Sequence, residues 1–488
     1  MINIQTELRP ALPTVYGPKD YREFRSTLEE MDRILEVSGI EKRFINRLIS
    51  AEAEKSSCGV LPGRYKAYRS ALRYSIVRAL TGYSMREMAR TVADSILFQW
   101  FTNSAQVDGI RPVAKSTIDR FEKMIPSEEL RRLIEDLNGA VADENGAQEL
   151  LYRESALQMD KVFADTTCVQ TNIHFPVDWL LLRDAARTLI KAIILIRKHG
   201  LTYRIGTPES FMKEMNKLCI EMTHARKTRG AKRKRKAILR RMKKLMKLIE
   251  SHAINYHREL KARWEETDWT ELQAQNVLDR LDNVLNQLPQ AIEQAHERII
   301  GERKVPTNKK ILSLYESGTR VIVRGKAGAE VEFGNALYLA EQADGLIIDW
   351  NFIEEQPPAD SKLVEASLNR IEEAYGKPES YTADRGFDAH AIRDLLEGLN
   401  IVNGVCPLSV PLLKKKLEDE DFCLLQKRRA QTEARVGIFK NAYLGKPLRS
   451  KGFSNRKTRI EWCVLTHNLW KLAKMAAQEK EKRLAEAA

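Results

Sequence analysis

The feature that most constrains this chain is a change of period. From about residue 183 to 304 apolar residues recur almost only at helical spacing, with hardly a strand-like run among them. On either side the pattern differs. MDKVFADTTCVQTNIHF before it, and RVIVRGKAGAEVEFGNALYLAE and GLIIDWNFIE after it, are rich in β-branched and aromatic residues and read as strands. A helix (SKLVEASLNRIEEAY), a short strand (ESYTAD) and a helix (AHAIRDLLEGL) come next, with closing helices at about 429–444 and 458–484. Strands and helices alternating around a long helical interruption predict a mixed α/β core that carries a large all-helical insertion.

The first third reads mostly as helix. In LTGYSMREMARTVADSILFQWF, Met85, Met88, Val92 and Ile96 share helical spacing, and Ser84 with Glu87 forms a capping box at the start. Ser116 with Asp119 suggests a second box opening STIDRFEKMI, which Pro126 ends. Two short capped helices suit a helix-turn-helix-like DNA reader, and plain helical packing fits the same spacing. The small, polar segment NGAVADENGAQ (138–148) suggests a boundary. The expected layout is a helical N-terminal domain (1–137), a first core segment (150–182), a basic helical insertion (183–304), a second core segment (305–475) and a charged C-terminal tail (476–488).

Charge points to a polyanionic partner. Over 488 residues the formal net charge is +14, and nucleic acid is the leading partner for such an excess. RKTRGAKRKRKAILRRMKKLMK (226–247) has thirteen Lys or Arg in 22 residues and no acid. Arg226, Lys227, Lys232, Arg233, Lys234, Arg235 and Lys236 are therefore candidate contacts to DNA phosphates, against the plainer reading of a solvated arm. Cys58, Cys168, Cys219, Cys406, Cys423 and Cys463 include no CxxC pair, which argues against a zinc ribbon or a disulfide framework. The N-terminus lacks a signal-peptide pattern and no apolar run is long enough to span a bilayer, so a cytoplasmic location is expected.

Three acids stand out by context. Asp165 closes the strand-like VFAD, Asp384 closes ESYTAD before Arg385 and Gly386, and Glu433 lies in the helical RRAQTEARVGIFKNAYL. Carboxylates at strand ends and on a rigid helix are sensible ligands for hard divalent cations. At about 100° per residue, Glu433 lies roughly 40° from Arg429 and Lys440 roughly 20° from Arg429, so the three share one face while Arg435 points away. That stripe suits a metal-binding acid with Arg429 and Lys440 reaching for DNA phosphates beside the metals, and a simple salt-bridge face would give it too. Asp160 and Asp349 are competing strand-end acids. Asp178 and Asp388 read as turn or capping residues, and His174 and His390 lie near the acids in sequence.

Together FADTT, YTADRGFD and RRAQTEARVGIFKN resemble the DDE transposases of bacterial insertion sequences, which have an RNase H-like catalytic core. In one large branch the third acid lies in a Tyr-Arg-Glu-Lys signature. Arg429, Glu433 and Lys440 match its spacing, while Gln426 stands at the tyrosine position. The closing helix RIEWCVLTHNLWKLAK is similar too, and the resemblance covers about 159–182 and 305–475. It implies that Asp165, Asp384 and Glu433 bind two Mg²⁺ ions, with Mn²⁺ able to substitute, and cut and rejoin DNA at terminal inverted repeats. It also implies double-stranded DNA as partner, a homodimer in the DNA complex, and end recognition by the N-terminal helices, with about 116–125 as the reading helix. A transposase-derived DNA-binding protein and another RNase H-like nuclease are the alternatives.

Overall fold

A computed structural model describes residues 10–55, 63–106, 109–225, 229–326 and 329–487. Along the chain the elements are α1 (Lys19–Val37), α2 (Ile40–Lys55), α3 (Arg64–Thr81), α4 (Met85–Asp94), α5 (Ile96–Phe101), the short pair β1 (Ala105–Gln106) and β2 (Gly109–Ile110), α6 (Lys115–Met124), α7 (Ser127–Gly139), α8 (Glu144–Leu151) and β3 (Lys161–Gln170). Then follow α9 (Asp178–Lys198), α10 (Pro208–Ala225), α11 (Ala231–Arg263), α12 (Glu271–Ile299), β4 (Arg320–Lys326), β5 (Ala329–Glu341) and β6 (Ile347–Phe352). The last stretch holds α13 (Val364–Tyr375), β7 (Ser380–Thr382), α14 (His390–Gly398), β8 (Val402–Asn403), α15 (Val410–Lys416), α16 (Glu420–Ile438) and α17 (Phe453–Ala487).

The chain divides into two compact units, one of Met1–Gln170 with Ala336–Ala488, the other of Thr171–Asn335. In the first, the strands run in the order β6-β5-β3-β7-β8. β3, β7 and β8 are parallel, and β5 and β6 are antiparallel. Parallel strands need both faces covered. Accordingly β3 is buried at Val162–Ala164 and again at Thr167–Val169. α17 packs along α1, α3 and α7, so one continuous apolar core runs from Leu28 and Phe44 through Val162 and Tyr381 to Trp462. The described residues of α1–α7 thus share a core with the sheet, and no unit boundary falls at 138–148. The supposed tail is the end of α17, where Lys480 reaches buried Glu30 at 3.0 Å.

Ser84 and Glu87 do form the capping box on α4. The second box is absent, because α6 starts two residues early, at Lys115 behind Ala114, which has no side-chain acceptor. α4 and α6 pack together, but α5 and the β1–β2 pair lie between them in the chain. The connection is thus far longer than the turn of a tight helix-turn-helix.

The second unit holds four long helices, α9 to α12, around an apolar core of residues such as Leu189, Ile193, Met242, Met246, Leu281 and Leu288. Apolar positions at helical spacing dictate this, and Thr270 caps α12 with Gln273 at the third position. No strand occurs among the described residues from α9 to α12, as the period predicted. No helix among the described residues is long and apolar enough to cross a membrane.

Candidate active site

Two of the three acids meet because adjacent parallel strands carry them. The β3–β7 register pairs Lys161 with Ser380, Val162 with Tyr381 and Phe163 with Thr382. Two residues past the last of these pairs stand Asp165, still in β3, and Asp384, just beyond β7, and neighbouring strands lie about 4.8 Å apart. β3 does not stop at Asp165, as the sequence suggests, but runs on to Gln170. Asp384 follows β7 and caps a 3₁₀ turn, Arg385–Phe387, where its Oδ1 accepts the Gly386 N–H at 2.8 Å. The Thr166 N–H donates to Asp165 Oδ1, also at 2.8 Å.

α16 delivers the third acid. Side chains of a strand alternate, so Phe163 and Asp165 share a face, and the Arg428 guanidinium lies 4.5 Å over the Phe163 ring. α16 is held there by one buried carboxylate at the end of β5: Glu341 accepts from Arg428 (2.9 Å), Thr432 (2.8 Å) and Arg435 (3.1 Å). Gly345 adopts φ +96°, and a Cβ there would come within 2.5 Å of the Arg435 side chain, so glycine permits this close approach. Arg429 and Glu433, on another side of α16, are 3.8 Å apart, and Glu433 is largely solvent-exposed.

Gln426 occupies the position where the signature has tyrosine. It donates to the Gly404 carbonyl at 2.6 Å and accepts from Arg429 at 3.1 Å, tying the sheet end to the cation beside Glu433. Lys440 fits the expected stripe less simply, because α16 passes into a π-helical turn at Phe439–Leu444 and the 100° step ends there. Lys440 is half-buried in that turn.

The acids share a field. Burial pushes the Asp165 carboxyl up to about 6, and the nearby charges of Asp384 and Glu433 add to the rise. The Thr166 N–H and Arg429 oppose it. Carboxylate oxygens are the donors that Mg²⁺ and Mn²⁺ favour, and a cation would offset this repulsion, so the donor set fits a hard divalent metal. Among the described residues no three His, Cys, Asp or Glu side chains stand as a formed metal cage. Comparison with protein-family models, curated proteins and solved structures returned no match.

The competing acids have other work. Asp349 is fully buried in β6, bound at 2.8 and 2.6 Å by Arg370 and at 3.2 Å by Arg131. Asp160 precedes β3, at the opposite end from Asp165. Asp178 caps nothing and instead accepts from Gln294 and Arg298. Asp388 is gripped by Arg393, which holds its carboxyl below the usual range, and accepts the Leu408 N–H. His390 pairs with Asp394 on the surface of α14, and His174 is exposed. Asp360 was not singled out from sequence. Its carboxylate comes so near Gly386 that a Cβ there would stand 2.9 Å from it and 3.1 Å from Asp384.

The candidate DNA-contacting cations of the basic run belong to the other unit. Arg226 and Lys227 lie outside the described residues. Lys232 and Lys236 both bind Glu302 at 2.9 Å, and Arg235 lies 5.3 Å over the Trp179 ring. These three are therefore already engaged within the unit, whereas Arg233 and Lys234 are exposed with no ion pair among the described residues. A bond between residues some 70 positions apart leaves no local signal.

Proposed function

We propose that this chain is a DDE-type DNA transposase with an RNase H-like core, cutting and rejoining DNA strands at the ends of an insertion sequence. The observation that carries the reading is the β3–β7 register, which sets Asp165 beside Asp384 on the face that receives α16 and Glu433. Asp165, Asp384 and Glu433 would hold the divalent cations. When bound, those cations would activate a water or a DNA 3′-hydroxyl and compensate the charge of the leaving oxygen.

The chain's own residues account for the rest. β3 and the 3₁₀ turn fix two carboxylates, so their positions cost no reorganisation on DNA binding. Gln426 holds Arg429 where its guanidinium reaches a phosphate next to the acids, and Lys440 supplies a second cation further along. The outer face of α6, with exposed Lys115, Ser116 and Arg120, is the reading surface for the element's ends. Joining two ends requires two copies, so a homodimer forms on DNA. A cytoplasmic location fits such a substrate.

The test is nicking of labelled terminal-repeat duplex by the full chain, with Mg²⁺, Mn²⁺ or chelator. Metal-dependent cutting that disappears in Asp384→Asn supports the reading. Metal-dependent cutting that persists in that variant, or a folded wild-type chain that binds terminal repeats and never cuts, refutes it.

A further inference from the structure

Part of the basic run is already paired within the unit, and a row along α11 is not. The helix buries Ile238, Leu239, Met242, Met246 and Ile249 against its neighbours. On its flanks, acids of the same unit already neutralise three of the cations: Glu302 takes Lys232 and Lys236, and Glu214 and Glu221 take Arg241 at 3.2 and 2.7 Å. Directly opposite the buried face runs a crest of Arg233, Arg240, Lys244 and Lys247, all exposed. None of the four has an ion-pair partner among the described residues. At about 100° per residue they fall within about 60° of one another. At about 1.5 Å per residue the row is about 21 Å long. The crest positions between and beyond them are Ala237 and Ser251, small residues that leave approach open.

We propose that this crest is a track for the sugar-phosphate backbone of duplex DNA, binding it without reading sequence. Laid along the duplex axis, a row of about 21 Å spans about six base pairs, at about 3.4 Å of rise for each. A membrane surface does not fit, because a basic helix that lies on lipid inserts its apolar face, and here that face is spent inside the helical unit. The assignment takes from the proposed function only that the partner is duplex DNA. It also moves the DNA contacts away from Lys232, Arg235 and Lys236, where the sequence places them.

The test uses the full chain in chelator, so no cutting is read and its outcome is independent of the acids. Binding to a random-sequence duplex is measured from 50 to 200 mM salt for three proteins: wild type, Arg233→Gln/Arg240→Gln/Lys244→Gln/Lys247→Gln, and Lys232→Gln/Lys236→Gln/Arg241→Gln. Each neutralised phosphate contributes about 0.9 to the log–log slope, so the crest variant is expected to lose about three to four from it. The flank variant is expected to change it by less than one. Circular dichroism and thermal melting check that both variants stay folded, as outward-facing glutamines allow. A crest variant with the wild-type slope overturns the proposal, and so does a flank variant that shifts it as much. A loss confined to a single-stranded RNA probe, with duplex binding intact, overturns it too.

Discussion

The two units bury different things. The sheet-bearing unit hides a series of ion pairs: Arg73 between Asp32 and Glu41, Glu122 with Arg78 and Arg459, Asp349 with Arg370, and Glu341 with Arg428 and Arg435. In the helical unit the buried charged residues among those described are Asp178 and Glu316, and the rest of the core is mainly apolar. Apolar packing is non-directional and accepts many arrangements of similar volume. A buried ion pair is costly and fixes geometry, so it belongs where side chains must stand at set positions. The unit that carries the three acids spends stability on placement, and the unit that carries the cationic crest does not.

The sharpest way to break this contrast is through the acids. Asp165→Asn or Asp384→Asn should lower strand cleavage by about a thousand-fold or more while melting temperature and duplex binding barely change. The double variant should be no worse than either single one, because the acids act as one unit. Additive losses in a nicking assay would refute that.

Stability comes next. Asp349→Ala leaves Arg370 and Arg131 facing a void and should cost about 3 kcal/mol by denaturant titration. Asp178→Ala should cost only about 1 kcal/mol, since its partner Arg298 is 42% exposed and can turn to water. Equal losses would erase the distinction between the units.

A pH effect should also belong to the first unit. Burial pushes the Glu461 carboxyl, which accepts from Ser127 at 2.6 Å, up to about 7. The folded state therefore holds a proton that the unfolded state releases near 4.5. This contribution is complete below the unfolded value and is lost as pH rises through about 7. Glu461→Gln should remove the fall, leaving the protein more stable than wild type at pH 8, by on the order of 2–3 kcal/mol. An unchanged pH profile of unfolding would rule this out.

The smallest effect should come from Gln426→Ala. Without the Gln426 side chain that links it to the Gly404 carbonyl, Arg429 loses its aim, and cleavage should slow about ten-fold with the metal requirement unchanged, a change of about 1.4 kcal/mol. A normal rate in single-turnover cleavage would mean that Gln426 holds nothing of consequence.

What the sequence reveals follows from the range of the forces involved. Helical period, the Ser84–Glu87 box and the strands around Asp165 and Asp384 are local, and each is readable within a dozen residues. The Asp165–Asp384 register, the Glu302 pairing of Lys232 and Lys236, and the approach of Asp360 to Gly386 depend on chain segments far apart, and no local pattern encodes them. The single unbroken core beneath α1–α8 and the sheet was missed for the same reason. A glycine-rich stretch looks like a linker whether or not the helices on either side pack as one body. The π turn at Phe439 escaped because its residues are ordinary helix formers.

Glu341 has a consequence for how such a chain can vary. It bears no catalytic role in the proposed chemistry, yet Arg428, Thr432 and Arg435 all converge on it. The position of Glu433 is thus inherited from β5, a strand carrying none of the three acids. Among chains descended from a common ancestor, these four positions should change together or not at all, with Gly345 constrained beside them. Lys427 and Ala430, exposed on the same helix, should drift independently.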